Sequence, residues 1–429
     1  MGLVKYNVSK FIGYTVGLLW IGGLIACSKT DSTVSEIKEQ AAFPWNIPQT
    51  KPDRPLSKGM ARLYDNYRTP RPQDNELFSS FKHTPVEGFD YNNGDGTISR
   101  RDPSKIIKEN GKYYVWYTKR HTQFPPVGMR RAKEATDVIP SADWDLSEIW
   151  YATSLDGFTW EEQGVAIPRP PKPNPGWRSV TTTDILKWEG KYYLYYQAFM
   201  EASGLKGDHC PVAASYADSP EGPWTPTNKI IIPNGTPGTW DQYSIHDPYP
   251  LVYKGKIYLY YKAAFGDRPN NFMLAGGLAT ADHPLGPFTK HPLNPLFNSG
   301  HETALFPFEE GMAALVIRDG NENNTIQYAP DGVHFDIAAV TQLMPTAAGA
   351  YISDAFNSNG NGRGITWGLQ HFIGMGEKGK KYSMLSRFDC DLSLDHNDPK
   401  MKNTQIWLKP EVYFSQGLSE QQKQERMQY

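Results

Sequence analysis

One phrase recurs along this chain, and it restricts the fold more than any other feature. It is clearest as His246-Asp247-Pro248-Tyr249-Pro250-Leu251-Val252-Tyr253, then Lys254-Gly255-Lys256, then Ile257-Tyr258-Leu259-Tyr260-Tyr261. An acidic residue opens a strand, a tight turn follows, and a second strand is built from β-branched and aromatic residues. The phrase returns as Asp102-Pro103-Ser104-Lys105-Ile106-Ile107 running through Asn110-Gly111-Lys112 into Tyr113-Tyr114-Val115-Trp116-Tyr117. It returns again as Asp184-Ile185-Leu186-Lys187-Trp188 running through Glu189-Gly190-Lys191 into Tyr192-Tyr193-Leu194-Tyr195-Tyr196. Each copy continues into a third strand and a polar, aromatic-bearing turn, at 151–160, 213–224 and 277–288. Units of about four short antiparallel strands at this spacing mark β-propeller blades.

Two weaker copies begin at His301-Glu302-Thr303 and near Asp354, which predicts an all-β, five-bladed β-propeller with a short N-terminal helical arm and a C-terminal tail. In a propeller the first strand of each blade lines the central channel, so equivalent positions converge. Asp102, Asp184, Asp247 and Glu302, with Asp354 as a fifth candidate, are therefore expected in one funnel. Like charges held together raise one another's pKa. Acid/base chemistry exploits such clusters.

The chain divides into 1–27, a lipoprotein signal peptide; 28–55, a linker; 56–87, a helical arm; 88–395, the propeller; and 396–429, a C-terminal extension. Lys5 and Lys10 precede an apolar run ending Leu24-Ile25-Ala26-Cys27, which resembles a lipobox with Cys27 as the lipidated residue. A cleaved secretory signal with an incidental cysteine is the alternative. Both readings place the mature protein outside the cytoplasm, and the first anchors it by lipid in the periplasm or at the outer membrane. Residues 56–67 and 74–81 read as two short helices around Thr69-Pro70-Arg71-Pro72. A net charge of -2 argues against nucleic acid as a partner. Cys210 and Cys390 alone remain beyond Cys27, and two separately buried thiols are expected rather than a disulfide framework. Asn92-Asn93-Gly94-Asp95-Gly96 lacks the spacing of a calcium loop and reads as a turn, so no metal or other cofactor is expected.

Around the acids lie groups able to contact a sugar: Arg101, Thr182, Thr183, Asp184, Gln197, His209 and His246. Pro248 pins the backbone beside Asp247 in an extended form and fixes the direction of its carboxylate. Glu302 is preceded by His301, which brings a second titratable group to this copy.

Three stretches carry a family resemblance: Asn93-Gly94-Asp95-Gly96-Thr97-Ile98-Ser99-Arg100-Arg101-Asp102-Pro103-Ser104-Lys105, Ser244-Ile245-His246-Asp247-Pro248, and Gly300-His301-Glu302-Thr303. The chain resembles glycoside hydrolase family 117, the α-1,3-(3,6-anhydro)-L-galactosidases. The resemblance implies an exo-acting, inverting hydrolase that removes 3,6-anhydro-L-galactose from the non-reducing end of neoagarobiose or longer neoagarooligosaccharides. It places the water-activating base at Asp102 and an orienting carboxylate at Asp247, and leaves the proton donor between Glu302 and His301. His301 is slightly preferred, because Glu302 among carboxylates can instead hold the imidazolium. The resemblance also implies a homodimer formed through the N-terminal arm. Two alternatives stand beside it: a family 43-like arabinosidase or xylosidase, and a non-catalytic glycan-binding lipoprotein.

Overall fold

The computed structural model describes residues 41–65, 77–205, 210–266, 273–357, 361–375 and 381–394. Cys27, His209, the C-terminal extension expected at 396–429 and residues 74–76 of the second arm helix lie outside the described residues. A single-turn helix, α1 (Lys58–Ala61), is capped by Ser57, whose Oγ accepts the Met60 amide hydrogen at 3.2 Å. The expected arm ends differently from its sequence reading. Leu77 and Phe81 are buried in core without helical structure, and β1 (Lys82–Pro85) joins a sheet.

The remaining chain is strand and turn. β2 (Ile98–Arg101), β3 (Ile107–Glu109), β4 (Lys112–His121), β5 (Glu148–Ser154) and β6 (Glu161–Ile167) form one antiparallel sheet. β7 (Ser179–Trp188), β8 (Lys191–Phe199), β9 (Val212–Ala217) and β10 (Thr225–Ile232) form a second. β11 (His246–Tyr253), β12 (Lys256–Phe265), β13 (Met273–Ala281) and β14 (Thr289–Lys290) form a third. The fourth sheet joins β15 (Ala304–Glu309), β16 (Gly311–Val316), β17 (Thr325–Ala329) and β18 (Asp336–Val340) to β19 (Gly349–Ala350), β20 (Gly362–Met375), β21 (Lys381–Ser393) and β1.

The recurring turns explain the hairpins. Asn110-Gly111, Glu189-Gly190 and Lys254-Gly255 each place two successive residues at positive φ (50° and 82°, 47° and 79°, 49° and 73°). Two-residue connections of this kind match the right-handed twist of paired strands, and glycine takes the second position without steric cost. The aromatic runs explain the packing. Along β8, Tyr193 and Tyr195 enter one core cluster while Tyr192, Leu194 and Tyr196 enter another. β4 and β12 divide in the same way, each face against a different neighbour. A strand covered on both faces takes apolar residues at every position, and its period of two sends them to alternate sides. The tyrosine excess is thus largely core. Cys210 and Cys390 are both buried thiols. In the 92–97 turn, Asp95 accepts from the Thr97 amide, the Thr97 hydroxyl and the Asn92 carboxamide.

β1 pairs antiparallel with β21, Lys82 opposite Asp389, so the chain's first described strand lies beside its last. His83 on β1 is fully buried. Its Nε2–H donates to the Leu343 carbonyl at 2.8 Å, and its Nδ1 faces the Gln370 carboxamide nitrogen. Burial pulls its pKa down from 6.5 to about 4. A depressed histidine contributes stability that is complete above the unfolded pKa and is lost as pH falls from 6.5 towards 4. The loss from this group should reach about 3 kcal/mol. Urea midpoints at neutral pH and near pH ~4.5 should show this drop, and His83→Gln should flatten it. An identical pH dependence in the variant would place the effect elsewhere.

Candidate active site

In or beside five strands, β2, β7, β11, β15 and β19, sits a residue in left-handed backbone conformation: Asp102 (φ 50°), Thr182 (41°), Asp247 (51°), Glu302 (59°) and Ala347 (50°). Such a conformation costs a non-glycine residue about 1–3 kcal/mol and gathers at functional sites. Here it accompanies breaks in strand register, between Thr181 and Asp184 and between His246 and Tyr249, which re-aim the side chain.

Hydrogen bonds tie four of these residues together. The Asp102 carboxylate accepts from the Thr182 hydroxyl at 3.0 Å and from Arg101 Nε at 2.8 Å. Arg101 reaches on to Glu302 Oε1 at 3.0 Å. The Glu302 amide donates to Asp247 Oδ2 at 3.2 Å, and Lys262 Nζ lies 2.5 Å from the same oxygen. His301 Nε2 is 3.6 Å from Glu302 Oε1, while its Nδ1 is held by Asp319 at 2.6 Å. Asp319 therefore keeps a proton on Nδ1, and Nε2 carries one towards the carboxylates when the ring is an imidazolium.

Second-strand side chains hold this rim from behind. Thr118 and Gln197 pair across their sheets with Arg101 and Thr181, and the His371 amide bonds to the Thr346 carbonyl. Thr118 Oγ1 accepts the Thr182 amide (2.7 Å), Gln197 Oε1 the Asp247 amide (3.0 Å), and His371 Nδ1 the Asp102 amide (3.3 Å). Three of the five strained backbones are thus braced by a side chain from another sheet.

The electrostatics divide the acids. Against burial, Arg101 and His371 hold the Asp102 carboxyl well below the usual carboxylate range. Against burial, His301, His371 and Arg101 hold Glu302 at about 2. Asp247 moves the other way, because burial and the Glu302 charge outweigh Lys262. Burial and Lys262 lower His301, with Glu302 and Asp319 opposing. Asp102 Oδ1 and Glu302 Oε2 are buried without a hydrogen-bond partner among the described residues, which leaves acceptors for a water or sugar hydroxyl. One ligand atom from each of Asp102, Glu302 and His371 lies within 4.8 Å of the others, a set able to hold a metal ion. Arg101 already supplies positive charge to both carboxylates.

Other expected site residues sit elsewhere. Asp184 lies two positions past the left-handed Thr182 and is buried in an ion pair with Lys105, whose amide also donates to it at 2.8 Å. Its Oδ1 further accepts the Ile185 amide, so Thr182 takes the rim position that the repeat pattern gives to Asp184. Thr183 turns into its sheet and bonds the Tyr195 carbonyl. His246 lies at the edge against Phe199. Asp354 accepts the Arg363 amide and the Ser353 hydroxyl, away from the cluster. Asp319, His371 and Trp144, whose ring lies 4.8 Å from the Arg101 guanidinium, do not stand out in the sequence. A signal exists for three second-strand positions: Thr118, Gln197 and Lys262 each follow an aromatic run directly.

No family model matches the chain, and no curated protein matches it. Solved structures do. A family 117 glycoside hydrolase produced by the marine bacterium Zobellia galactanivorans is 64% identical, spanning 81% of this chain and 100% of that one, with a TM-score of 0.74. The chain belongs to glycoside hydrolase family 117. A second structure, a complex of BT0996 with RGII, is 12% identical over 77% of this chain and 96% of that one, with a TM-score of 0.50, a likeness of fold alone. This family 117 member is thus a glycoside hydrolase.

Proposed function

We propose that this hydrolase removes 3,6-anhydro-L-galactose from the non-reducing end of neoagarooligosaccharides in one inverting step. Asp102, kept ionised by Arg101 and His371, takes a proton from the water that attacks the anomeric carbon. His301 Nε2–H gives a proton to the departing galactose oxygen. Glu302 stays anionic between Arg101 and His301, and Asp247, partly neutralised by Lys262, orients the sugar. Arg101, Thr182, Gln197 and His246 are proposed to shape the sugar subsite around these groups.

The observation that carries the choice of donor is spacing. An inverting pair stands about 6.5–9.5 Å apart to admit water. Glu302 approaches Asp102 within 4.8 Å and shares Arg101 with it, closer than such a pair stands, which leaves the donor role to His301, 3.6 Å from Glu302. Five blades accompany this reading. The eight-stranded sheet is joined by only two residue pairs between β15 and β20, and dividing it there gives two four-stranded groups. The five left-handed rim residues support the same count. Export with lipid attachment at Cys27 and dimerisation through the arm belong to the proposal as well.

Incubation with neoagarobiose and, separately, with an aryl arabinoside tests it. Proton NMR during the first turnovers should show 3,6-anhydro-L-galactose released with inverted configuration. Release of the aryl group instead would favour an arabinosidase, and release of neither a binding protein. The donor must be protonated, so kcat/KM should fall as pH rises through an apparent pKa below the ordinary histidine value of 6.5. A rate that holds through pH ~8 would exclude His301 as donor.

A further inference from the structure

We infer that Arg62, which touches no reacting group, is a positioning residue for His301. The inference rests on the reading of His301 as proton donor. Arg62 follows α1 and makes a bidentate pair with Glu322, Nε to Oε1 at 2.7 Å and Nη2 to Oε2 at 2.9 Å, both side chains nearly buried. Its Nη1 donates to the Phe335 carbonyl at 2.8 Å. The segment is pinned further where the Ser57 hydroxyl donates to the Pro295 carbonyl at 2.6 Å.

Glu322 transmits this anchoring to the loop that carries the donor. The Asn298 carboxamide donates to Glu322 Oε1 at 2.9 Å and to the Gly59 carbonyl at 2.7 Å. The Ser299 hydroxyl donates to Asn298 at 2.8 Å and accepts the Glu322 amide at 3.0 Å. From there the Gly300 amide bonds the Asp319 carbonyl (2.8 Å) and the His301 amide bonds the Ile317 carbonyl (2.7 Å). Arg318, Asp319 and Gly320 are three consecutive left-handed residues, at φ 55°, 46° and 101°. A Cβ on Gly320 would lie 2.4 Å from Ser299 Oγ, so the two loops meet without slack. Strain of this kind persists only where its surroundings over-determine it. Arg62 and Glu322 supply that constraint behind both halves of the His301–Asp319 pair.

A buried ion pair is a poor choice for stability alone, since well-packed apolar residues often serve as well. Its directional bonds suit a part that must hold a loop in register. If residues 57–62 leave this face, the base keeps its partners while the donor loses its support.

The test uses the full chain carrying Arg62→Met, with Arg62→Met/Glu322→Gln as a second variant that leaves no unpaired buried charge. On neoagarobiose, kcat should fall on the order of 10- to 100-fold, the scale of a small misplacement. KM should stay within about twofold. An aryl glycoside of the same sugar with a strongly acidic phenol needs little protonation, and its hydrolysis should be largely spared. Hydrogen exchange should quicken in peptides covering 298–302 and 317–322 but not in 98–102. Equal losses on both substrates, or unchanged kcat with unchanged exchange, would overturn the inference. Failure of the hydrolase reading looks different: the unsubstituted protein would then release no product from either substrate.

Discussion

Asp102→Asn is expected to lower kcat on neoagarobiose by about 10³- to 10⁴-fold, the upper range for loss of a general base. Sugar binding should be nearly unchanged. The substitution is close to isosteric, and its surroundings dictate how the amide settles. Its oxygen takes the place that accepts from Arg101 and Thr182, and its nitrogen faces His371 Nδ1, which lies 3.2 Å from Asp102 Oδ1. The fold around the rim therefore keeps its hydrogen bonds while the proton acceptor is gone. Turnover measured by product release, beside affinity measured by calorimetry, separates the two effects. A variant retaining more than about a tenth of the turnover would remove Asp102 from the role of base.

The second large effect distinguishes two neighbours. His301→Ala should cost about 10²- to 10⁴-fold on neoagarobiose and recover much of that loss on an aryl glycoside with an acidic phenol. Its pH profile should also lose the alkaline limb. Glu302→Gln should be impaired on both substrates alike, because it removes the charge held between Arg101 and His301 rather than a proton. Glu302 at about 2 is a weak candidate for a group that must be protonated at working pH. Selective rescue of Glu302→Gln and none of His301→Ala would reverse the assignment.

Much of this is legible from residues alone. The Asn110-Gly111, Glu189-Gly190 and Lys254-Gly255 turns and the alternating aromatics specify hairpins covered on both faces, because backbone sterics and burial act locally. Asp102, Asp247, His301 and Glu302 are legible because they stand at matching places in a repeat. Asp184 falls two positions out of line for a physical reason. The left-handed residue before it breaks strand alternation, and no side-chain type marks that break: Asp102, Thr182 and Ala347 share the conformation. His371 and Asp319 are hidden because their roles depend on contacts across sheets and between loops. Arg62 and Glu322, 260 positions apart, leave no local pattern at all. The arm reads as helical through residue 87, yet β1 belongs to a sheet, where its partner strand rather than its own propensity decides its state.

The pairing of β1 with β21 has a consequence for biosynthesis. Asp102 is synthesised 269 positions before His371, the imidazole that braces its amide from β20, and β20 is paired to the very strand that β1 must find. A nascent or truncated chain lacking β20 and β21 carries Asp102 without that brace. With Asp102 as base, competence to cut glycosidic bonds waits for β20 and β21, and a product terminated before them would be inert.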